Sequence, residues 1–258
     1  MPHQKTRALT LLLTLLLCAA GARAQDERRV TSPDGQIEFR IFLIHPEPEE
    51  TVRLAYQVYY HGQRFINTSF LGLDIHDQPL LGQNVGMIGA KTESASGYHA
   101  LTAEYMQNGS LGRRINVEVR AYNDGIAFRY VVPKSGPLVR MSLDNETTEF
   151  EFMEDATLDR GHQPVTQLST KAEVALPVVA EQPGLGWISI GEVRMGSYPR
   201  MYLIRTEGKI LISRLPPGAN ELHLAWEGAT PMTCPWRVLT IGATRAAVVE
   251  SKLASGLP

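Results

Sequence analysis

Cysteine is almost missing: the chain has two, Cys18 and Cys234. Cys18 lies in an N-terminal segment expected to be removed, so Cys234 stands alone and no intramolecular disulfide framework can form. Cys234 sits between Thr233 and Pro235 with no histidine close in sequence, which reads as a small buried hydrophobe rather than a catalytic thiol. A basic excess is missing too. Removal of residues 1–24 takes away Lys5, Arg7 and Arg23 and no acid, leaving 25 − 3 = 22 basic residues against 27 acidic ones, a net charge of −5. That balance excludes nucleic acid as the expected partner. Beyond the N-terminus there is no long apolar run, so no membrane span is expected. No Gly-x-Ser-x-Gly, phosphate-cradling glycine loop or zinc spacing occurs, and the six histidines after residue 24 are scattered. No long helical periodicity, internal repeat or low-complexity linker is present.

The N-terminus carries an export pattern. Lys5 and Arg7 precede an apolar run from Leu9 to Cys18, and Ala22-Arg23-Ala24 has the small-x-small form of a cleavage site. Cleavage after Ala24 is expected, giving a signal peptide over 1–24, a single domain over 25–258, and a periplasmic or secreted protein. An export signal without a disulfide framework suits a periplasm.

The remainder is organised around Val119 to Pro133. Val117, Val119 and Ala121 alternate with Glu118, Arg120 and Tyr122; Ile126, Phe128 and Tyr130 alternate with Ala127, Arg129 and Val131. Period two on both arms predicts a half-buried hairpin around Asn123-Asp124-Gly125, with Gly125 supplying positive φ for the reversal. Ile37 to Ile44 predicts a strand with Ile37, Phe39, Ile41 and Leu43 on one face. Leu54 to Tyr60 predicts another, turning at His61-Gly62-Gln63. The pattern weakens from Gly82 to Ser96, and Thr157 to Thr170 reads as an irregular loop. Regularly spaced short strands with turn signals predict an all-β fold, a large antiparallel β-sandwich. One short helix is predicted within Ala246 to Ala254.

Few residues stand out for chemistry. In the acidic run Glu146, Glu149, Glu151, Glu154 and Asp155, alternation puts Glu149 and Glu151 opposite Phe150 and Phe152, which predicts a solvated strand face. Trp187, Trp226 and Trp236 could stack on sugars, although core packing is the commoner role in strands. Glu192 ends the strand Trp187 to Gly191 and precedes Tyr198-Pro199-Arg200-Met201-Tyr202-Leu203. A carboxylate at a strand end suits a hard cation such as calcium, but one carboxylate is not a site. Spacing alone reads it as a surface acid.

These segments resemble, in order, the N-terminal β-sandwich domain of glycoside hydrolase family 97, a family of α-glucosidases and α-galactosidases. The resemblance is carried by Ser32-Pro33-Asp34-Gly35, Arg120 to Tyr130, Glu154-Asp155-Ala156, Ile190-Gly191-Glu192 with Tyr198 to Leu203, and Pro235-Trp236-Arg237-Val238. It implies a galactose-mutarotase-like supersandwich packed on a (β/α)₈ catalytic barrel. It also implies that the sandwich gives one glutamate, here Glu192, to a calcium ion at the active site. The implied substrate is an α-linked glucoside or galactoside. The sequence offers no positions for the barrel carboxylates, so the chain is expected to be inactive alone, as a truncated product or one half of a split enzyme. Two other readings stand beside this one. The first is a free-standing carbohydrate-binding β-sandwich. The second is a mutarotase-like epimerase, which needs a histidine and a glutamate on one concave sheet, with His99, His162 and His223 as candidates.

Overall fold

A computed structural model describes residues 25–109, 112–134, 138–193 and 196–258. The predicted signal peptide lies outside the described residues. Four strands, β1 (Gln25–Thr31), β2 (Ile37–Ile44), β3 (Arg53–Tyr60) and β4 (Gln63–Phe70), form an antiparallel meander. The short β5 (Leu73–Ile75) follows. A second meander comprises β6 (Val85–Ala95), β7 (Tyr98–Gln107), β8 (Arg114–Tyr122) and β9 (Gly125–Val132). Next come β10 (Arg140–Glu146), β11 (Glu149–Glu151), β12 (Thr157–Leu158), β13 (Val174–Ala175), β14 (Val178–Gln182) and β15 (Gly186–Val193). The last strands are β16 (Tyr202–Arg205), β17 (Ile210–Arg214), β18 (Trp226–Ala229), β19 (Met232–Thr233) and β20 (Trp236–Gly242).

The largest sheet has the order β12-β14-β15-β20-β9-β8-β7-β6, with β19 also paired to β9. Against its inner face pack the β1–β4 meander and two smaller sheets, β18-β10-β5 and β11-β17-β16-β13. The layers meet at an aromatic cluster. Phe39 of β2 stacks on Tyr56 of β3 at 5.2 Å, and both rings approach Phe128 of β9 at 5.8 and 5.4 Å. This is the all-β sandwich that period-two alternation predicted.

Several predicted elements appear as expected. β2 spans Ile37–Ile44, and Ile37, Phe39, Ile41 and Leu43 are all buried. On β8, Val117, Val119 and Ala121 face the core; on β9, Ile126, Phe128 and Tyr130 join them. The β3–β4 reversal uses left-handed φ at His61 (50°) and Gly62 (75°), the geometry that matches strand twist in a two-residue turn.

Gly125 departs from expectation. Tyr122 pairs with Gly125, so Asn123 and Asp124 alone make the turn, and none of the three has positive φ. The glycine is required by crowding instead. A Cβ there would lie 2.2 Å from the Leu239 carbonyl oxygen and 2.9 Å from the Thr240 Cα. The weak stretch Gly82 to Ser96 is another correction, because it contains the 11-residue β6. This strand is the sheet's edge and is exposed on both faces over most of its length, so it carries no apolar alternation. The region after Thr157 holds β12 and a 3₁₀ turn at Val165–Gln167 and is otherwise irregular.

The C-terminal segment folds back on the outer face of the large sheet. The short helix α1 (Arg245–Val249) is capped by the Thr244 hydroxyl, which accepts from the Ala247 N–H. Leu253 is buried with Ala127, Trp236 and Val238 in a second, smaller apolar cluster. Among the described residues no helix is long and apolar enough to cross a membrane.

Candidate functional site

β15 and β20 are neighbours in the large sheet, and register places Glu192 opposite Arg237. Alternation points Ile188, Ile190 and then Glu192 to the inner face from β15. From β20, Arg237, Leu239 and Ile241 point the same way. The core therefore ends, at this corner, in a carboxylate and a guanidinium. A charged side chain inside a strand whose seven residues are all buried must be paired. Arg237 is paired twice. Its Nε and Nη2 donate to Glu146 Oε1 and Oε2 at 2.8 and 2.5 Å, and its Nη1 donates to Glu192 Oε2 at 2.7 Å.

Glu146 ends β10 and is wholly buried. Besides Arg237, its carboxylate accepts from the Thr148 hydroxyl at 2.7 Å and the Tyr198 hydroxyl at 3.1 Å. Tyr130 in turn bonds Thr148 Oγ1 at 2.7 Å. Ser213 donates to the Glu146 carbonyl and accepts from the Thr148 N–H at 2.8 Å. Each partner comes from a different strand or turn, so the acid pins β10, β17 and β20 together.

Burial pulls the Arg237 pKa down, but the Glu146 charge and its hydrogen bonds outweigh it and hold the guanidinium above its ordinary value. Burial pushes the Tyr198 and Tyr130 hydroxyls well up and drives the Cys234 thiol up as well. Cys234 is fully buried beside Tyr198, with Sγ 3.5 Å from its hydroxyl, so it is the inert core residue its sequence context predicted.

Glu192 is not the free surface acid that its spacing suggested. Its side chain is 6 % exposed, and both its oxygens lie 3.3 Å from the Met201 N–H. Glu146 likewise leaves the solvated face expected for the acidic run, whereas Phe150 and Phe152 are buried as expected. Trp236 is core, 1 % exposed, and Trp226 is partly buried against the core. His99 shares the inner face of β7 with Leu101 and bonds the Thr31 carbonyl at 2.8 Å. It does not approach Glu192. His162 and His223 are exposed loop residues with left-handed φ. The three histidines are therefore not gathered with a glutamate on one concave face.

Glu192 also borders an open groove of about 330 Å³, with Gly191, Arg200, Leu176 and Val248 among its walls. Calcium takes six to eight oxygens. Glu192 offers two, both already engaged, and among the described residues no group of three or more His, Cys, Asp or Glu is arranged to hold a metal. The described residues do not form a complete calcium site, and Glu192 offers a single carboxylate toward one. Arg237 and Glu146 are what the reading of residues missed. The available signal was a charged residue inside the apolar run Trp236-Arg237-Val238-Leu239, which demands a buried counter-ion.

Residues 30–258 match the family described as Glycosyl-hydrolase 97 N-terminal. The chain belongs to that family. It is similar to a retaining α-galactosidase of Bacteroides thetaiotaomicron, 24 % identical over 288 residues that cover 92 % of this chain and 42 % of the relative. A family 97 enzyme from Pseudoalteromonas sp. strain K8, solved with panose, superposes with a TM-score of 0.75 at 22 % identity. That match covers 88 % of this chain and 37 % of the other. A β-arabinopyranosidase gives 0.72 at 21 % identity, covering 85 % and 40 %. The solved structures share the sandwich fold. The family 97 domain spans less than half the length of each of these relatives.

Proposed function

We propose that this chain is the sandwich half of a calcium-dependent family 97-type glycosidase acting on α-linked glucosides or galactosides. It packs on a (β/α)₈ catalytic barrel and is inactive without it. The observation that supports this reading is the state of the two acids on Arg237. Glycoside hydrolysis uses two carboxylates that both reach the scissile bond. Glu146 is sealed in the core with four donors on its carboxylate, and only Glu192 borders open space. Glu192, 6 % exposed at the edge of the groove, suits a residue that completes a metal shell at a domain joint, with Arg237 holding it in place.

The test is turnover of aryl α-glucosides and α-galactosides in calcium buffer, by the chain alone and mixed with or fused to a family 97 barrel. The expected result is no turnover alone and calcium-dependent turnover once the barrel is supplied, lost in Glu192→Gln. Robust turnover by the purified chain overturns the proposal. The export pattern supports a periplasmic or secreted site of action, and intact mass of the exported protein is expected to begin at Gln25.

A further inference from the structure

The outer face of the large sheet carries a second polar cleft, of about 260 Å³, between β6, β7, β8, β9 and β20. Register sets Arg120 opposite Ala100 on one side and Ala127 on the other, and sets Glu118 opposite Thr102 and Arg129. The two alanines leave room for the long Arg120 side chain to lie across the sheet. Its guanidinium carbon sits 4.8 Å from the centre of the Tyr98 ring and 4.9 Å from that of Trp236. Arg129 lies over the same indole at 4.3 Å.

The four charged side chains that line the cleft, Glu93, Glu118, Arg120 and Arg129, are unevenly paired. Arg129 pairs with Glu118 at 2.8 Å. Glu93 is turned to Lys91 on its own strand. Arg120 has no hydrogen-bond or ion-pair partner among the described residues. Ring stacking occupies the faces of a guanidinium and leaves its in-plane N–H donors free, in the fork geometry that matches a carboxylate. Trp236 lines the same cleft, and its buried Nε1–H has no acceptor, which is costly for a group that is 1 % exposed. Around Arg120 stand the Thr102 hydroxyl and the Glu118 and Glu93 carboxylates, which suit ligand hydroxyls.

We propose that this cleft binds a carboxylated sugar, a hexuronate. Its carboxylate pairs with the Arg120 fork and its hydroxyls meet the surrounding oxygens. The two rings hold Arg120 in place before binding, which lowers the ordering cost. This cleft opens on the face of the sheet opposite the Glu192 carboxylate, with Trp236 adjoining Arg237 between the two.

Calorimetric titration of the 25–258 chain with glucuronate and galacturonate, against glucose, galactose and acetate, tests it. The uronates are expected to bind saturably and at least about tenfold more tightly than either the neutral sugars, which lack the bidentate charge-assisted pair, or acetate, which lacks the hydroxyl contacts. Arg120→Met is expected to abolish the preference. Arg120→Lys keeps the positive charge and loses the planar fork, so it is expected to weaken uronate a few-fold, and it serves as the check if Arg120→Met fails to fold. Three results would each overturn the proposal: no saturable uronate binding, equal binding of uronate and neutral hexose, or acetate binding as tightly as uronate.

Discussion

Replacing Arg237 by methionine gives the most direct reading of the buried corner. The substitution keeps much of the aliphatic volume, so the cavity is small, and it removes the one cation that bonds Glu146 among the described residues. That carboxylate is fully buried and would keep just the Thr148 and Tyr198 hydroxyls. Breaking a buried ion pair by removing one partner costs about 3–5 kcal/mol, because the remaining charge is stranded. Against a typical domain stability of about 5–15 kcal/mol this is a large fraction. With a urea slope of about 3 kcal/mol/M it moves the midpoint down by about 1–1.7 M. Removing both charges together, in Glu146→Gln with Arg237→Met, leaves no ion stranded at the Glu146 position and only Glu192, at the core's edge, without its cation, so the double variant is expected to recover about 1–3 kcal/mol relative to the sum of the singles. Arg140→Met is the control, because the Arg140–Glu227 pair is mostly exposed, at 69 % and 47 %, and such pairs are worth about 0–1 kcal/mol. The assay is urea unfolding followed by tryptophan emission. The reasoning fails if Arg237→Met costs less than about 1 kcal/mol, or if the double variant costs as much as the singles added.

Other outcomes follow from the same coordinates. Glu192→Gln should cost about 1–3 kcal/mol in the same unfolding assay, because it discharges one charge-assisted bond to a buried guanidinium; no measurable change would mean the acid swings free in solution. Gly125→Ala should cost at least about 1–3 kcal/mol, since its Cβ meets main chain of β20 rather than a side chain that can move, and thermal melting checks this. Cys234, buried and with its thiol pKa pushed up, should resist an aromatic disulfide reagent at pH 8 and titrate fully in denaturant. His76 bonds Asp144 at 3.0 Å, and that bond, opposed by partial desolvation, holds its imidazole pKa above the ordinary value. Its stabilising contribution is therefore complete below the unfolded-state pKa and is lost as pH rises through the raised folded one. Proton NMR titration should show the raised pKa in the native chain and its fall in Asp144→Asn.

The residues alone determined the class of fold and much of its sidedness. Alternation is a local property of strands, so Ile37 to Leu43, the β8–β9 arms and Phe150 with Phe152 could each be assigned to the buried face without knowing what they faced, whereas Glu149, expected on a solvated face, is half-buried with its carboxylate accepting from the Phe70 N–H. The isolation of Cys234 was equally legible, since an apolar neighbourhood in sequence became a buried one in space. Sidedness failed where both faces are wet, as along β6, and where a glycine is demanded by a strand from elsewhere in the chain, as at Gly125. The Glu192 corner was half legible: the resemblance singled out the acid, while Arg237, which holds it, lies 45 residues away and is itself bound to Glu146, 91 residues from Arg237. Only tertiary structure decided that Glu146 turns inward, that Arg237 lies between two carboxylates, and that Arg120 rests unpaired between two rings. Which residues share a face is fixed by the two-residue repeat of one strand. Which charges meet is fixed by the register and order of strands far apart in sequence, and no local pattern encodes it.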